Sequence, residues 1–508
     1  TLAVVALVGI TAPGAFAQAP PAAPPLKFDI NGFLDTVSSM SHNLRDLNFT
    51  RPGDTEWYAR NRGRFNIEGK AGTAVVVWGI EIDAAWGLVG NQDSNLGPAA
   101  AGFRAGSTSS FDLNTDVNGN VETKWLFAEF DMPLMPYATR VRVGAQPYSV
   151  TYKICALACS DFAGINFSTT WSPNVKSHLT FAQIEEELQG PSTGGSGVTG
   201  FNNGDDFAMI ASVEVSPFKG LDIRPIYAFA LFEGATSTAA RVAVSNGVTG
   251  GVPTFVSTTR NSENRHTLGV DLRWRSGPFS VDPTFLYQFG KRDMQDPFNI
   301  PGTTAEADIS AFLFDVKTGW RLGPLLLEFR YMYTTGNRPK DQLGSEVNYY
   351  QPITGDTGWW SDGWGNIFAL GIDYFSGAFR TLGTGIGLDR YGRQQFGLKA
   401  TYSLTPQLDF YGLVSPMWTA RSVDTDGTFT AAAMTCRPSD CQGDDAYVGT
   451  EANIGMTWRF APGLTLDLVG AYLFAGGALD TTEIVNGVAN KRDAKDVYIG
   501  SARLRVSF

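Results

Sequence analysis

The sequence predicts an all-β chain: a transmembrane, antiparallel, up-and-down β-barrel of about eighteen strands, with sixteen or twenty as the neighbouring counts. Three observations predict it. The last stretch alternates strictly, with Tyr498, Ala502, Leu504, Val506 and Phe508 on one face and Ser501, Arg503, Arg505 and Ser507 on the other. Side chains of a strand point alternately to opposite faces, so this segment has one apolar and one polar side. The same two-faced pattern recurs in segment after segment. Tight Pro- and Gly-bearing turns also alternate with long polar connections, which is the arrangement of short turns at one barrel end and long loops at the other.

Composition agrees. The chain has 508 residues, 57 of them Gly, with 12% aromatic and only 18% charged residues. After the first residues no run approaches the roughly 18 apolar residues that a spanning helix requires. Alternating strands hide from such a test. The formal net charge of −11 argues against nucleic acid as a partner.

Taken in order, residues 1–17 read as the remnant of an export signal. Leu2 to Ile10 is a short apolar run, and Ala15-Phe16-Ala17 supplies small residues where a signal peptidase reads them. Residues 18–25, rich in Pro and Ala, form a lead-in that cannot join a ladder. Residues 26–508 form the barrel. Phe28, Ile30 and Leu34 oppose Lys27, Asp29, Asn31 and Asp35. Arg60, Arg62, Arg64, Asn66 and Glu68 share one face, and a turn at Lys70-Ala71-Gly72 leads into a strand with Ala74, Val76, Trp78, Ile80 and Ile82 opposite Glu81 and Asp83.

The pattern places strand cores at 26–36, 57–69, 73–86, 121–131, 138–149, 163–171, 175–187, 205–216, 220–233, 263–276, 279–291, 306–321, 324–335, 388–404, 407–420, 446–460, 463–476 and 496–508. Pro and Gly punctuate the tight turns, because one fixes φ and the other permits positive φ. An even count puts both ends of the barrel on the short-turn side. Residues 366–375 have strand-like content but would break that parity, so they belong to the long connection 336–387. Later strands repeat the segregation: Leu268 and Trp274 oppose Asp271, Arg273 and Arg275, and Ile454, Met456 and Trp458 oppose Glu451 and Asn453. A cation facing lipid at mid-depth costs about 2–4 kcal/mol, and that penalty enforces such sorting.

Four cysteines lie in two close pairs, Cys155 with Cys159 and Cys436 with Cys441. Local disulfides are the simplest of the three possible connectivities in an oxidising compartment. Asp112, Asn114, Asp116 and Asn118 alternate as calcium-loop ligands do, without the Gly and Glu that complete an EF-hand. A Ca²⁺ site in that outer loop is the only cofactor expectation.

The whole pattern of export signal, short-turn hairpins, long loops and terminal aromatic strand resembles the Gram-negative outer-membrane porins. Tyr498, Leu504, Val506 and Phe508 resemble the C-terminal insertion signal of outer-membrane proteins. The resemblance implies a water-filled channel for passive diffusion of small polar solutes, surrounded by lipid and lipopolysaccharide, and commonly a homotrimer. The chain departs from many general porins in its length and in lacking a recognisable acidic signature in its third loop. On this reading Arg60, Arg62, Arg64, Arg140, Arg142, Arg273 and Arg275 line the lumen, with Glu81, Asp83 and Asp271 neutralising them or facing them across it; Arg503 and Arg505 lie near the short-turn exit. Opposed charge rows select solutes by charge, and the arginines tilt the preference toward anions. The resemblance implies that the third outer loop, 150–162, folds inward, with Asp161 presenting an acidic face to the arginines; because that loop is short, the connection 87–120 or 336–387 is the alternative source of the constriction.

Other readings stay open. A sleeve filled by a partner such as an electron carrier fits the same pattern. Tyr349, Tyr350, Trp359, Trp360 and Trp364 could stack on sugars at a channel mouth. No Gly-x-Ser-x-Gly, His-Glu-x-x-His or Walker motif occurs, so an enzyme is not expected; a barrel-embedded lipase would have to use His178.

Overall fold

A computed structural model describes residues 26–44, 49–86, 110–111, 121–153, 156–186, 205–233, 244–249, 252–256, 262–295, 304–338, 346–353, 364–369, 371–372, 391–425, 443–485 and 488–508. Eighteen strands pair in sequence order and close into a ring. They are β1 (Lys27–His42), β2 (Thr55–Ala71), β3 (Ala74–Trp86), β4 (Val121–Asp131), β5 (Ala138–Ser149), β6 (Cys159–Ser172), β7 (Val175–Glu186), β8 (Asp205–Phe218) and β9 (Leu221–Phe232). The second half comprises β10 (Ser262–Ser276), β11 (Phe279–Gln295), β12 (Thr304–Leu322), β13 (Leu325–Thr334), β14 (Arg393–Thr405), β15 (Leu408–Val423), β16 (Asp445–Ala461), β17 (Leu464–Ala475) and β18 (Val497–Ser507). Every neighbouring pair is antiparallel, and β18 pairs with both β17 and β1. The barrel therefore has no open edge, which satisfies every ladder donor and acceptor that lipid could not.

All eighteen expected strand cores fall on these strands. Bounds differ mostly at the long-loop end. The first strand, expected to stop at residue 36, runs to His42, and β6 starts at Cys159 rather than 163. The ladder continues past the apolar belt into polar sequence, and polarity alone reads there as loop.

The pleat decides the faces. Phe28, Ile30, Leu34 and Met40 of β1 point out and are exposed, whereas Asp35, Val37, Ser39 and Ser41 point in and are buried. Trp78, Leu268, Leu327, Ile454 and Leu504 are likewise exposed on the outer wall, opposite buried Glu81, Asp271, Arg330, Glu451 and Ser501. Aromatics gather near both ends of that wall. Trp171, Trp274, Phe279, Trp320 and Trp458 sit beside the tight turns, and Trp57, Trp86, Tyr227 and Phe474 sit toward the long loops. His266 and Trp274, eight residues apart on β10, are separated by roughly 19 Å of barrel height at a ~3.3 Å rise and ~45° tilt. That spacing suits two girdles around an apolar band about 25 Å tall.

Tight turns lie at one end. Gly72, Gly220, Gly277, Gly323 and Gly463 have positive φ there, which only Gly adopts without steric cost. Small additions decorate the other end. Among the described residues these include short strands at Ser110–Phe111 and Glu346–Val347, two hairpins (Val244–Thr249 with Val252–Val256, and Thr481–Val485 with Val488–Arg492) and a 3-10 turn, Gly477–Leu479. Among the described residues no helix is long and apolar enough to cross a membrane.

The seam between first and last strands is bonded by more than the ladder. Arg505 donates to both Asp35 oxygens at 2.7 and 2.6 Å, and Ser39 and Ser501 hydroxyls meet at 2.8 Å. Residues 1–25, the four loop oxygens Asp112, Asn114, Asp116 and Asn118, and Cys155, Cys436 and Cys441 lie outside the described residues.

Candidate functional site

The inner wall is a mosaic of ion pairs set by hairpin register. β2 and β3 place Arg62 directly opposite Asp83 and Arg64 opposite Glu81. Arg62 donates to both Asp83 oxygens at 2.7 Å, Arg64 binds Glu81, and the buried Arg60 lies 3.6 Å from Asp83. Lys124 continues the row, 3.7 Å from Glu81 and 2.6 Å from Asp161. Arg140 and Arg142 share Glu129, and Arg140 also reaches Asp131 at 2.8 Å. Arg273 holds Asp222, Arg275 holds Asp282, and Arg503 holds Asp467.

Of the two expected arrangements, carboxylates neutralising neighbouring arginines or facing them across the lumen, these residues adopt the first. The arginines meet carboxylates beside them on the wall, because directly opposed cross-strand residues are the nearest side-chain neighbours in a sheet. The placement of Asp161 is corrected. It lies on β6, not in the loop, and accepts from Lys124 and from the Trp125 indole N–H at 2.5 Å. Asp271 is fully buried; its oxygens accept from the backbone N–H of Tyr152 at 2.5 Å and the hydroxyl of Thr284 at 2.6 Å.

Among the described residues, two connections enter the lumen. The third, between β5 and β6, buries Val150, Thr151, Ala156, Leu157 and Ala158. Lys153 reaches across to Asp315 at 3.1 Å and Thr284 at 2.6 Å. The Tyr152 ring stacks between the guanidiniums of Arg224 and Arg273, 4.2 and 4.6 Å from its centroid. Asp271 stands nine residues from the start of β10 at Ser262, so Tyr152 sits roughly 20 Å below the long-loop rim at the usual rise and tilt. Cys159 is disulfide-bonded, its partner lying outside the described residues.

The connection between β13 and β14 enters beside it. Tyr349, Tyr350, Gln351, Ile353, Trp364 and Phe368 are all buried. Sugar stacking at the mouth is therefore not what the described aromatics are placed for: Tyr349, Tyr350 and Trp364 are covered by protein, while Trp359 and Trp360 lie outside the described residues. The two loops bind each other. The Tyr350 hydroxyl donates to the Ala156 carbonyl at 2.9 Å, and the Ile353 N–H to the Leu157 carbonyl at 2.6 Å. Burial holds the Tyr350 phenol far above its ordinary range, so it stays a donor.

Buried charge anchors this second loop to the wall. Glu263 is paired with both Arg265 and Arg292, all three essentially inaccessible. Arg265 donates to the carbonyls of Gln351 and Pro352 at 3.2 and 3.1 Å, and Arg292 to the Tyr349 hydroxyl and the Gln351 side chain at 2.8 Å each. Further along, Trp364 lies about 6 Å from Lys317, Arg330 and Lys399. The sequence placed Glu451 on a polar strand face; what it hid is that loop backbone would come to meet it.

His178 faces Glu214 at 3.7 Å, and Arg224 binds the same carboxylate at 2.9 Å. A guanidinium beside it makes Glu214 an ion-pair partner rather than the orienting acid of a catalytic histidine. Among the described residues no cluster of three His, Cys, Asp or Glu side chains is arranged to hold a metal ion.

No family model matches the chain, and no curated protein matches it. Among solved structures it is similar to Acinetobacter baumannii OccAB4, at 11% identity over 94% of this chain and 98% of that one, with a TM-score of 0.48. It is also similar to Pseudomonas aeruginosa OccK11 (OpdR), at 9% identity over 95% and 96%, TM-score 0.47, and OccK5 (OpdH), at 10% identity over 94% and 98%, TM-score 0.45. The barrel assignment stands on the chain's own strand pairing.

Proposed function

We propose that this chain is an outer-membrane channel of Gram-negative type that passes small polar or charged solutes by passive diffusion. One observation carries the reading: a closed ring of eighteen strands has an apolar outer wall and a charged inner wall. Burying charge inside a ring while exposing Phe, Trp and Leu outside inverts a soluble protein and suits a lipid surround with a watery interior. No step needs a cofactor; the solute gradient drives transport. Surrounding lipid and lipopolysaccharide, a homotrimer, local Cys155–Cys159 and Cys436–Cys441 bridges and removal of residues 1–17 belong to the same proposal. The inward segments 150–153, 156–158, 346–353 and 364–369 weigh against a sleeve filled by an electron carrier, since they occupy space that carrier would need.

The preference is for anions. A guanidinium has five N–H donors, and a bidentate carboxylate uses two of them. Arg273 and Arg275 keep 42% and 47% of their side chains exposed while paired, so donors remain for an anionic solute.

The deciding experiment is single-channel recording in a planar bilayer under a salt gradient. Stable ohmic steps with an anion-selective reversal potential are expected; a purified, folded barrel without conductance overturns the channel. Arg62→Gln should move the reversal potential toward cations, because it removes one of the two cations, Arg60 and Arg62, that face Asp83 and so lowers the wall's charge by one. A lone charge about 4 Å from a passing ion in water is worth about 1 kcal/mol, or about fivefold in local occupancy. The double change Arg62→Gln with Asp83→Asn should largely restore the starting value. No shift in the single variant would place the selective section elsewhere.

A further inference from the structure

One carboxylate does something the ion-pair mosaic does not explain. Glu451 of β16 is completely buried and has no ion-pair partner among the described residues. Its oxygens instead accept three consecutive backbone N–H groups, from Asn366 at 2.6 Å, Ile367 at 3.0 Å and Phe368 at 2.7 Å. Consecutive amides turned toward one point form an anion-binding nest, and here the nest lies on the inward loop while the anion belongs to the barrel wall. The donors come from 83 to 85 residues away in sequence, so the contact fixes a loop, not a local turn. Two neighbours support it. Asn366 donates from its side chain to Asn453 at 3.0 Å, and Arg393 donates to the Phe368 carbonyl at 3.2 Å. Gly365 packs so closely that an added Cβ would lie 3.1 Å from a Glu451 oxygen.

We infer that Glu451 is the positioning residue of the constriction: it pins residues 366–368 inside the lumen and thereby holds Trp364 against the wall. The inference rests on the channel reading above and deepens it. Trp364 lies two residues before the nest and covers Lys317, Arg330 and Lys399, which come from three adjacent strands. The loop thus covers three cations of the wall, of which Lys317 is paired with Glu328 at 3.1 Å and Arg330 with Asp315 at 2.9 Å. Releasing the nest both widens the passage and uncovers those cations to anions.

Two variants test it in the full-length protein, after heat-modifiable migration confirms an intact barrel. Glu451→Gln keeps the shape but offers one acceptor oxygen where two served three donors. Gly365→Ala keeps the carboxylate and crowds it. Hydrogen exchange of the peptide containing Asn366–Phe368 should speed up at least tenfold in Glu451→Gln, since local opening sets that rate. Single-channel conductance should rise by about twofold or more, with a larger share of the current carried by anions. Unchanged exchange overturns the tether even if the wild-type barrel conducts nothing. Faster exchange with unchanged conductance and selectivity in both variants overturns the constriction role. A silent wild-type barrel that conducts once Glu451 is replaced supports the pin while revising the open channel to a closed one.

Discussion

Ile454→Arg should cost the folded barrel about 2–4 kcal/mol in a bilayer, the penalty for a cation facing lipid near the midplane. Ile454 stands near the centre of β16, and its side chain is 73% exposed on the outer wall. Its cross-strand neighbours are Gly412 and Gly470, so no adjacent side chain can shelter or pair with the new charge. Urea unfolding in liposomes of defined thickness reads the effect. Phe460→Arg, one residue from the end of the same strand, should cost only about 0–1 kcal/mol, because the penalty falls toward the interface. Equal costs at the two depths, or tolerance of both, would show that this face does not meet lipid.

Glu263→Ala should be comparably damaging from the other side of the wall. It leaves the guanidiniums of Arg265 and Arg292 buried without their shared carboxylate. Removing one member of a buried ion pair costs about 3–5 kcal/mol, since the stranded charge stays desolvated. The exposed pair Lys291–Glu306, one hairpin strand away with both side chains more than half accessible, should contribute about 0–1 kcal/mol. The comparison separates burial from mere pairing. If Glu263→Ala and Glu306→Ala shift the urea midpoint equally, water reaches the Glu263 cluster and the loop segment 346–353 is not anchored by it.

The strands were legible because lipid imposes a penalty on every second residue, and that penalty leaves a period of two in the sequence. Parity then required an even count and kept residues 366–375 out of the ring. The pairing of Arg62 with Asp83 was less accessible. It depends on where the turn closes: Gly72 and Thr73 form it, whereas reading Lys70-Ala71-Gly72 as the turn shifts every cross-strand partner. The lumen filling left no such trace. Tyr350 and Trp364 have the composition of an ordinary outer loop, and burial against a charged wall produces no periodicity. Glu451 was visible as a lumen-facing acid, but its partners are backbone N–H groups, which no residue code marks.

The seam has a consequence for biogenesis. Arg505 and Asp35 are 470 residues apart in sequence, yet the ring is incomplete until their strands meet. The entropic cost of so long a span is modest: relative to a ten-residue hairpin it adds about 3 kcal/mol, at about 0.6 kcal/mol per doubling. The difficulty is one of timing. A chain emerging amino-end first presents β1 with one bonding edge vacant throughout synthesis, so a vulnerable intermediate is built into the circular topology. Such non-local closure is slow, and an unpaired edge recruits strangers. A chaperone or insertion machine that shields the β1 edge until the final strand arrives would remove that hazard.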